Sequence, residues 1–293
     1  MSLINRTFLI IAASALALGS HFAVAEVLPE AVPEVKIPLA KKPTSRPMTV
    51  AYVPYLKQYF IADGGLAPIP GDPLAATSQS EVHIYGEDGK YVSSAKPGLD
   101  NRSIYYNDNT RQLESVTYNI SSEAGFSPST GIFSLILNED GTLKSDATEI
   151  TGHNPAFGSP GTIPSYDAVR NVYYAKQERS NLVRIVASPK REVAGEIKLD
   201  LMAAGVKLDE IGHHFVAYTG VSGEELALLD VDRKAILIFN LEGKYIAKSI
   251  LPSTFKLRSQ NHINGTGYSN GLFFVYHEPE GEFGTYYGFR ILN

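Results

Sequence analysis

The chain has 293 residues, 44% of them apolar and 19% charged, long enough to bury about three quarters of its unfolded surface in a true core. Its 26 Lys and Arg against 31 Asp and Glu give a net charge of −5, which leaves no broad basic surface to collect phosphates and argues against a nucleic-acid partner. Cysteine is absent, which removes disulfides, thiolate metal sites and a cysteine nucleophile; tryptophan is absent too, while Tyr (17) and Phe (13) are plentiful.

Residues 1–25 have the pattern of a secretory signal. Arg6 supplies the positive start, Phe8–Leu18 is a short apolar run, and Ala23-Val24-Ala25 is a small-x-small cleavage site before Glu26. The apolar run is too short to span a bilayer, which takes about 20 residues, so a periplasmic or secreted protein with no transmembrane segment is expected. Residues 26–47 carry prolines at 29, 33, 38, 43 and 47 and should be an extended linker. Within it, Glu34-Val35-Lys36-Ile37-Pro38-Leu39 alternates polar and apolar side chains, as an edge strand does.

From residue 48 to 293 the chain repeats. A short strand followed by an acidic-Gly turn occurs as His83–Lys90, Leu135–Thr142 and Leu237–Lys244, with Val183–Arg191 as the same strand leading into a different turn. The Asp-Gly and Glu-Gly pairs supply the positive φ of a hairpin turn. Aligning Ile84, Ile136, Ile185 and Ile238 gives spacings of 52, 49 and 53, and one further step of 51 reaches Phe289. In the fourth copy Phe215–Tyr218, Glu225–Asp230, Ala235–Phe239 and Tyr245–Ile250 form a four-stranded meander, and Asp200–Ala204 is expected to be a single turn between copies. Four-stranded units at this period predict an all-β fold, a five-bladed β-propeller, with six blades as the alternative. The fifth copy ends before its last strand, and Glu34-Val35-Lys36-Ile37 matches Glu196-Ile197-Lys198-Leu199, the last strand of the third. Residues 33–40 are therefore expected to complete the final blade and close the ring.

The phrases Tyr85-Gly86-Glu87-Asp88-Gly89-Lys90-Tyr91-Val92 and Phe239-Asn240-Leu241-Glu242-Gly243-Lys244-Tyr245-Ile246 resemble blades of the NHL-repeat and SMP-30-like propellers. That group includes calcium- or zinc-dependent lactonases, a magnesium-dependent lyase and pure binding scaffolds, mostly with six or seven blades. The resemblance covers two blades well and a third in part, and it brings no active-site motif with it.

Loops leading into the innermost strands are where propellers usually place their function. Here they hold Asp100, Asn101 and Arg102; His153, Asn154, Tyr166 and Asp167; Asp209, Glu210, His213 and His214; and Gln260, Asn261, His262 and Asn264. One reading is a divalent-metal site on the axis with His153, His214 and His262 as ligands and Asp167 or Glu210 as carboxylate, Arg102 being a further catalytic candidate. The bland alternative is a wet, hydrogen-bonded channel. A glycosidase would use Asp63, Asp167 and Glu210, though no tryptophan is present to hold a sugar ring. Gly64–Ser80 and Ser121–Thr130 are longer than hairpins need and could form a lid or rim. Two functional classes follow: an exported propeller binding a small molecule or a protein partner at the channel mouth, and a metal-dependent hydrolase or lyase of lactonase-like type.

Overall fold

A computed structural model describes residues 26–41, 47–64, 80–99, 101–117, 131–152, 154–159, 161–188, 190–208, 211, 214–278 and 284–293. The segment 1–25 lies outside these residues. Among the described residues the regular structure is β-strand, with short 3-10 turns such as Pro155–Phe157 and Ser259–His262, and no helix is long and apolar enough to cross a membrane.

After β1 (Val27–Pro38) the strands come in meanders. The first holds β2 (Pro47–Val53), β3 (Gln58–Asp63), β4 (Val82–Gly86) and β5 (Tyr91–Ala95); the second β6 (Asn101–Asn107), β7 (Gln112–Thr117), β8 (Ile132–Leu137) and β9 (Leu143–Thr151). The third holds β10 (Ser165–Asp167), β11 (Val172–Lys176), β12 (Leu182–Ala187) and β13 (Val193–Lys198); the fourth β14 (Ala217–Tyr218), β15 (Leu226–Asp230), β16 (Ala235–Phe239) and β17 (Tyr245–Ile250). The last, β18 (Thr266–Ser269), β19 (Leu272–His277) and β20 (Thr285–Leu292), takes β1 as its outer strand. Ile84, Ile136, Ile185, Ile238 and Phe289 all fall on the third strand of a unit.

The first strands surround one axis: β2 touches β6 and β18, β10 touches β6 and β14, and β14 touches β18. Thr49 Oγ1 accepts from Ile104 N (2.8 Å), Ser103 Oγ donates to the Pro164 carbonyl (2.8 Å), and Ile163 N donates to the His214 carbonyl (3.0 Å), which stitches the first four units together around the axis. Four-stranded meanders arranged radially around a channel make a β-propeller. Between the sheets Phe60, Ile84, Leu113, Phe133, Ile163, Phe215, Ile236, Phe273 and Phe289 form one continuous buried cluster. Each large apolar side chain removed from water contributes about 2 kcal/mol.

β1 runs antiparallel to β20, with Lys36 opposite Tyr287 and Pro38 opposite Thr285, and also meets β17 at a parallel pair, Glu30 beside Ile250. This strand begins six residues earlier than the sequence pattern suggests and stops at Pro38. The expected linker prolines Pro29 and Pro33 lie inside it, and the register shifts between Val27 and Val32 and between Pro33 and Val35 absorb residues that cannot donate to a ladder. Gly89 (φ 77°) lies so close to the outer strand β1 that an added Cβ would stand 2.3 Å from the Lys36 carbonyl oxygen. At Gly243 (φ 79°) an added Cβ would likewise stand 2.2 Å from the Lys198 carbonyl oxygen of β13. β1 thus stands to the first unit as β13 stands to the fourth. In the third unit, where the turn has no glycine, Arg191 takes the positive φ of 55°. Residues 201–205 form the turn expected there, closed by Val206 N donating to the Leu201 carbonyl.

Candidate functional site

The antiparallel ladders give the channel two distinct ends. Pro47 pairs with Asp63 and Ala62 with Val82, while Asn101 pairs with Thr117 and Val116 with Ile132. The strands bracketing both long insertions therefore meet at the end where β2 and β6 begin, which is also the end of the inter-unit loops. Gly64 is described, but most of the first insertion and Ser121–Thr130 lie outside the described residues.

Many of the polar residues expected to work at that end hold the fold together. Asn101 is fully buried, donating to Ser80 Oγ and accepting from Ser115 Oγ (2.9 Å). Asn154 caps the 3-10 turn by accepting from Ala156 N (2.8 Å) and donates to the Arg191 carbonyl. Asn261 bridges Arg258 N and the Tyr276 carbonyl. Asp167, 0% exposed, ends β10 and accepts from Val169 N (2.9 Å), Arg170 N (3.0 Å), the Arg170 guanidinium (3.0 Å) and the Tyr174 hydroxyl (3.2 Å).

His214 sets its Nδ1 2.7 Å from the Gly161 carbonyl. Burial lowers its pKa, the Gly161 hydrogen bond and Glu178 oppose this, and the neighbouring cations Lys176 and Arg102 add to the lowering. His262 Nε2 lies 3.4 Å from Asp232 Oδ1. His153 and Glu210, together with Asp100, Asp209 and His213, lie outside the described residues, as does the Gln260 side chain. Among the described residues no group of three or more His, Asp or Glu is placed to hold a metal ion. His214 and His262 thus do not make a ligand set by themselves. Asp63, the first glycosidase candidate, is buried at the end of β3 with Oδ2 3.4 Å from His83 Nε2.

A cavity of about 240 Å³ lies at the other end of the channel, where the first strands finish. β2, β6, β10, β14 and β18 each line it, and its wall carries seven aromatic side chains: Tyr52, Tyr105 and Tyr106, Tyr166, Phe215 and Tyr218, and Tyr268. Several of these rings are fixed from behind. The Tyr52 hydroxyl donates to Glu87 (2.6 Å), Tyr105 to Glu114 (2.6 Å) and Tyr166 to Asn171 (2.6 Å), while Tyr218 accepts from Arg170 (2.9 Å). Tyr218 also packs on Tyr174 at 5.2 Å and Tyr166 on Tyr173 at 4.9 Å. Burial pushes the Tyr218 and Tyr268 phenols up to about 12, so both stay neutral at physiological pH.

Of the residues singled out in the sequence, Tyr166 lines this cavity; the other wall tyrosines were not singled out. Their signal is a tyrosine just before the first turn of each unit, at positions 52, 106, 166, 218 and 268.

The fold and channel define a β-propeller. Among solved structures, glutaminyl cyclase of Myxococcus xanthus is similar with a TM-score of 0.53 and 10% identity, covering 91% of this chain and 98% of that one. The periplasmic gluconolactonase PpgL of Pseudomonas aeruginosa gives 0.41 at 12% identity, over 80% of this chain and 69% of that one. The Cps50 (Swd1) β-propeller domain of Myceliophteria thermophila gives 0.39 at 11% identity, over 84% of each chain. At these identities the likeness concerns the fold alone. No protein-family model and no curated protein sequence matches the chain.

Proposed function

We propose that this chain is an exported five-bladed β-propeller, closed by β1, that binds a small molecule in the tyrosine-lined mouth of its channel. The observation that carries the reading is convergence: one cavity of about 240 Å³ receives wall residues from five separate strands, with four of its tyrosine hydroxyls held in place by other residues. A concave, largely aromatic site with a few polar groups is the usual form of a ligand pocket. Export is proposed from the signal pattern of residues 1–25.

The test is a thermal-shift screen of a small-metabolite library against the wild type and Ser165→Phe, which adds bulk at a residue of the cavity wall. Compounds that stabilise the wild type and lose their effect in the variant support the reading. Compounds that stabilise both proteins equally bind elsewhere and overturn it. The metal-dependent hydrolase or lyase, with His153, His214 and His262 as ligands, makes a separate expectation. Elemental analysis of chelator-free protein should then find a stoichiometric divalent metal that is lost in a His214→Ala, His262→Ala double variant.

A further inference from the structure

We propose that this cavity binds a quaternary ammonium group; the proposal rests on the reading of the cavity as the binding site. Six tyrosines and Phe215 reach it from five units, and each of the tyrosines is half-buried, keeping part of its surface accessible. Tyr105 and Tyr166 touch across a unit boundary, with ring centroids 5.4 Å apart. A ring face carries the negative part of the aromatic quadrupole, so several rings around one space attract a cation. About 240 Å³ falls below the roughly 300–1,000 Å³ of sites for drug-sized molecules and suits a compact head group.

The charge around the wall is predominantly negative. Asp108, two residues past Tyr106, lines the cavity, is exposed and has no ion pair among the described residues. No Lys, Arg or His stands among the described lining residues. One hydrogen bond behind the wall, Tyr52 donates to Glu87 and Tyr105 to Glu114, and neither carboxylate has an ion pair among the described residues. Glu114 is buried and also accepts from Asn107 and Thr110. A phenol that donates to a carboxylate gains electron density in its ring, which strengthens its attraction for a cation. Arg170 touches the wall through the Tyr218 hydroxyl, but its charge is matched by Asp167. The site therefore draws cations and repels a carboxylate or phosphate.

Hydrogen bonding decides which kind of cation. The hydroxyls of Thr49, Ser103, Tyr52, Tyr105 and Tyr166 are engaged with other protein groups, and those of Ser165 and Ser269 are closed off from solvent. A primary ammonium brings three N–H donors, and giving up their water here without replacement is unfavourable. A quaternary ammonium has no N–H to leave unpaired. Its charge is spread over methyl groups that pack against the rings, with Asp108 as counter-charge at the rim.

Calorimetric titration of the full-length chain in sodium phosphate tests this with choline, its neutral carbon isostere neohexyl alcohol, and the primary ammonium ethanolamine. Choline is expected to bind about tenfold or more tighter than either, to weaken as salt is raised, and to bind about tenfold more weakly to Tyr106→Leu. Asp108→Asn, a change on an exposed turn, should keep the melting temperature and weaken choline about threefold. Flotation with phosphatidylcholine vesicles separates the two sources of the group: capture lost in Tyr106→Leu places it on a lipid, and calorimetric binding of choline without capture places it on a free molecule. Neohexyl alcohol or ethanolamine binding as tightly as choline, or choline and vesicle binding untouched by both substitutions, overturns the ligand class. If the thermal-shift screen yields ligands abolished by Ser165→Phe while neither choline nor the vesicles bind, the class fails and the pocket stands. If no compound in either experiment depends on a residue of the cavity wall, both readings fail.

Discussion

At Asp167 a single carboxylate closes the turn after β10, pairs with Arg170 and accepts from Tyr174, all with no exposure to solvent. Asp167→Ala leaves two turn amides and a guanidinium without their acceptor and should cost about 3 kcal/mol, measured as a shift of the urea midpoint at constant slope. A variant of wild-type stability would show that this carboxylate is not held for structure. Lys176 makes a different kind of test. Its ammonium is fully buried and donates to the main-chain carbonyls of Gln177 and Ser180, and burial lowers its pKa to about 8. In the unfolded chain the value returns to about 10.4, so between these values the unfolded state holds a proton that the folded state lacks. Raising the pH through that window therefore favours the folded state. The melting temperature of the wild type should rise relative to Lys176→Met from pH 7.5 to 9.5; parallel curves would rule the linkage out. The window stops short of pH 10 because the buried tyrosines act in the opposite direction there: their folded pKa values are raised, so stability is lost once the unfolded phenols ionise.

At the scale of the element, glycine turns separate what a backbone needs locally from what packing demands. Gly89, Gly98 and Gly243 all have positive φ, but an added Cβ meets the Lys36 and Lys198 carbonyls at Gly89 and Gly243 and meets nothing within 4 Å at Gly98. Gly98→Ala should cost only the conformational part, about 1 kcal/mol, whereas Gly89→Ala and Gly243→Ala should each lose about 3 kcal/mol because a neighbouring strand must move. Calorimetric melting of the three variants decides it, and equal losses at all three would mean that the close approaches do not matter. These turns are also why so much of the fold was legible in the sequence. A third strand followed by an acidic-Gly pair is a signal contained in about eight residues, so Ile84, Ile136 and Ile238 align without knowing the fold, and Ile185 and Phe289 follow from the spacing. The cavity was less legible for the converse reason. Its wall is assembled from residues that are neighbours only once the ring is formed, and the extra length of the first and second units spreads their tyrosines unevenly. Histidines and carboxylates in the loops drew attention as carriers of chemistry, yet Asn101, Asn154, Asp167 and Asn261 serve turns and strand ends, a use that residue type alone does not announce.

Closure is a property of the whole molecule, because a ring of sheets has no edge only while its last sheet is complete. β1 supplies that completion from the opposite end of the chain, burying Val27, Ala31 and Ile37, and the chain beyond it buries Leu39 and continues into the first unit, where Ala40 N donates to the Tyr85 hydroxyl (2.9 Å) and Lys41 faces Glu81 at 3.8 Å. Without it β20 would present an unpaired edge along most of its length, and Gly89 would lose the strand it is shaped to meet. Three large apolar side chains at about 2 kcal/mol each and the Ala31 methyl at about 1, in a domain where 1 kcal/mol moves the melting temperature by roughly 2–4 °C, put the effect of removing the segment on the order of 15–30 °C. A chain lacking residues 26–41 should therefore melt that much lower. A synthetic peptide of those residues added in trans should recover part of the loss, since the groove beside β20 is otherwise intact. Recovery by the peptide separates loss of the outer strand from general damage at the N-terminus. An unchanged melting temperature in the truncated chain would mean that the ring holds without its last strand.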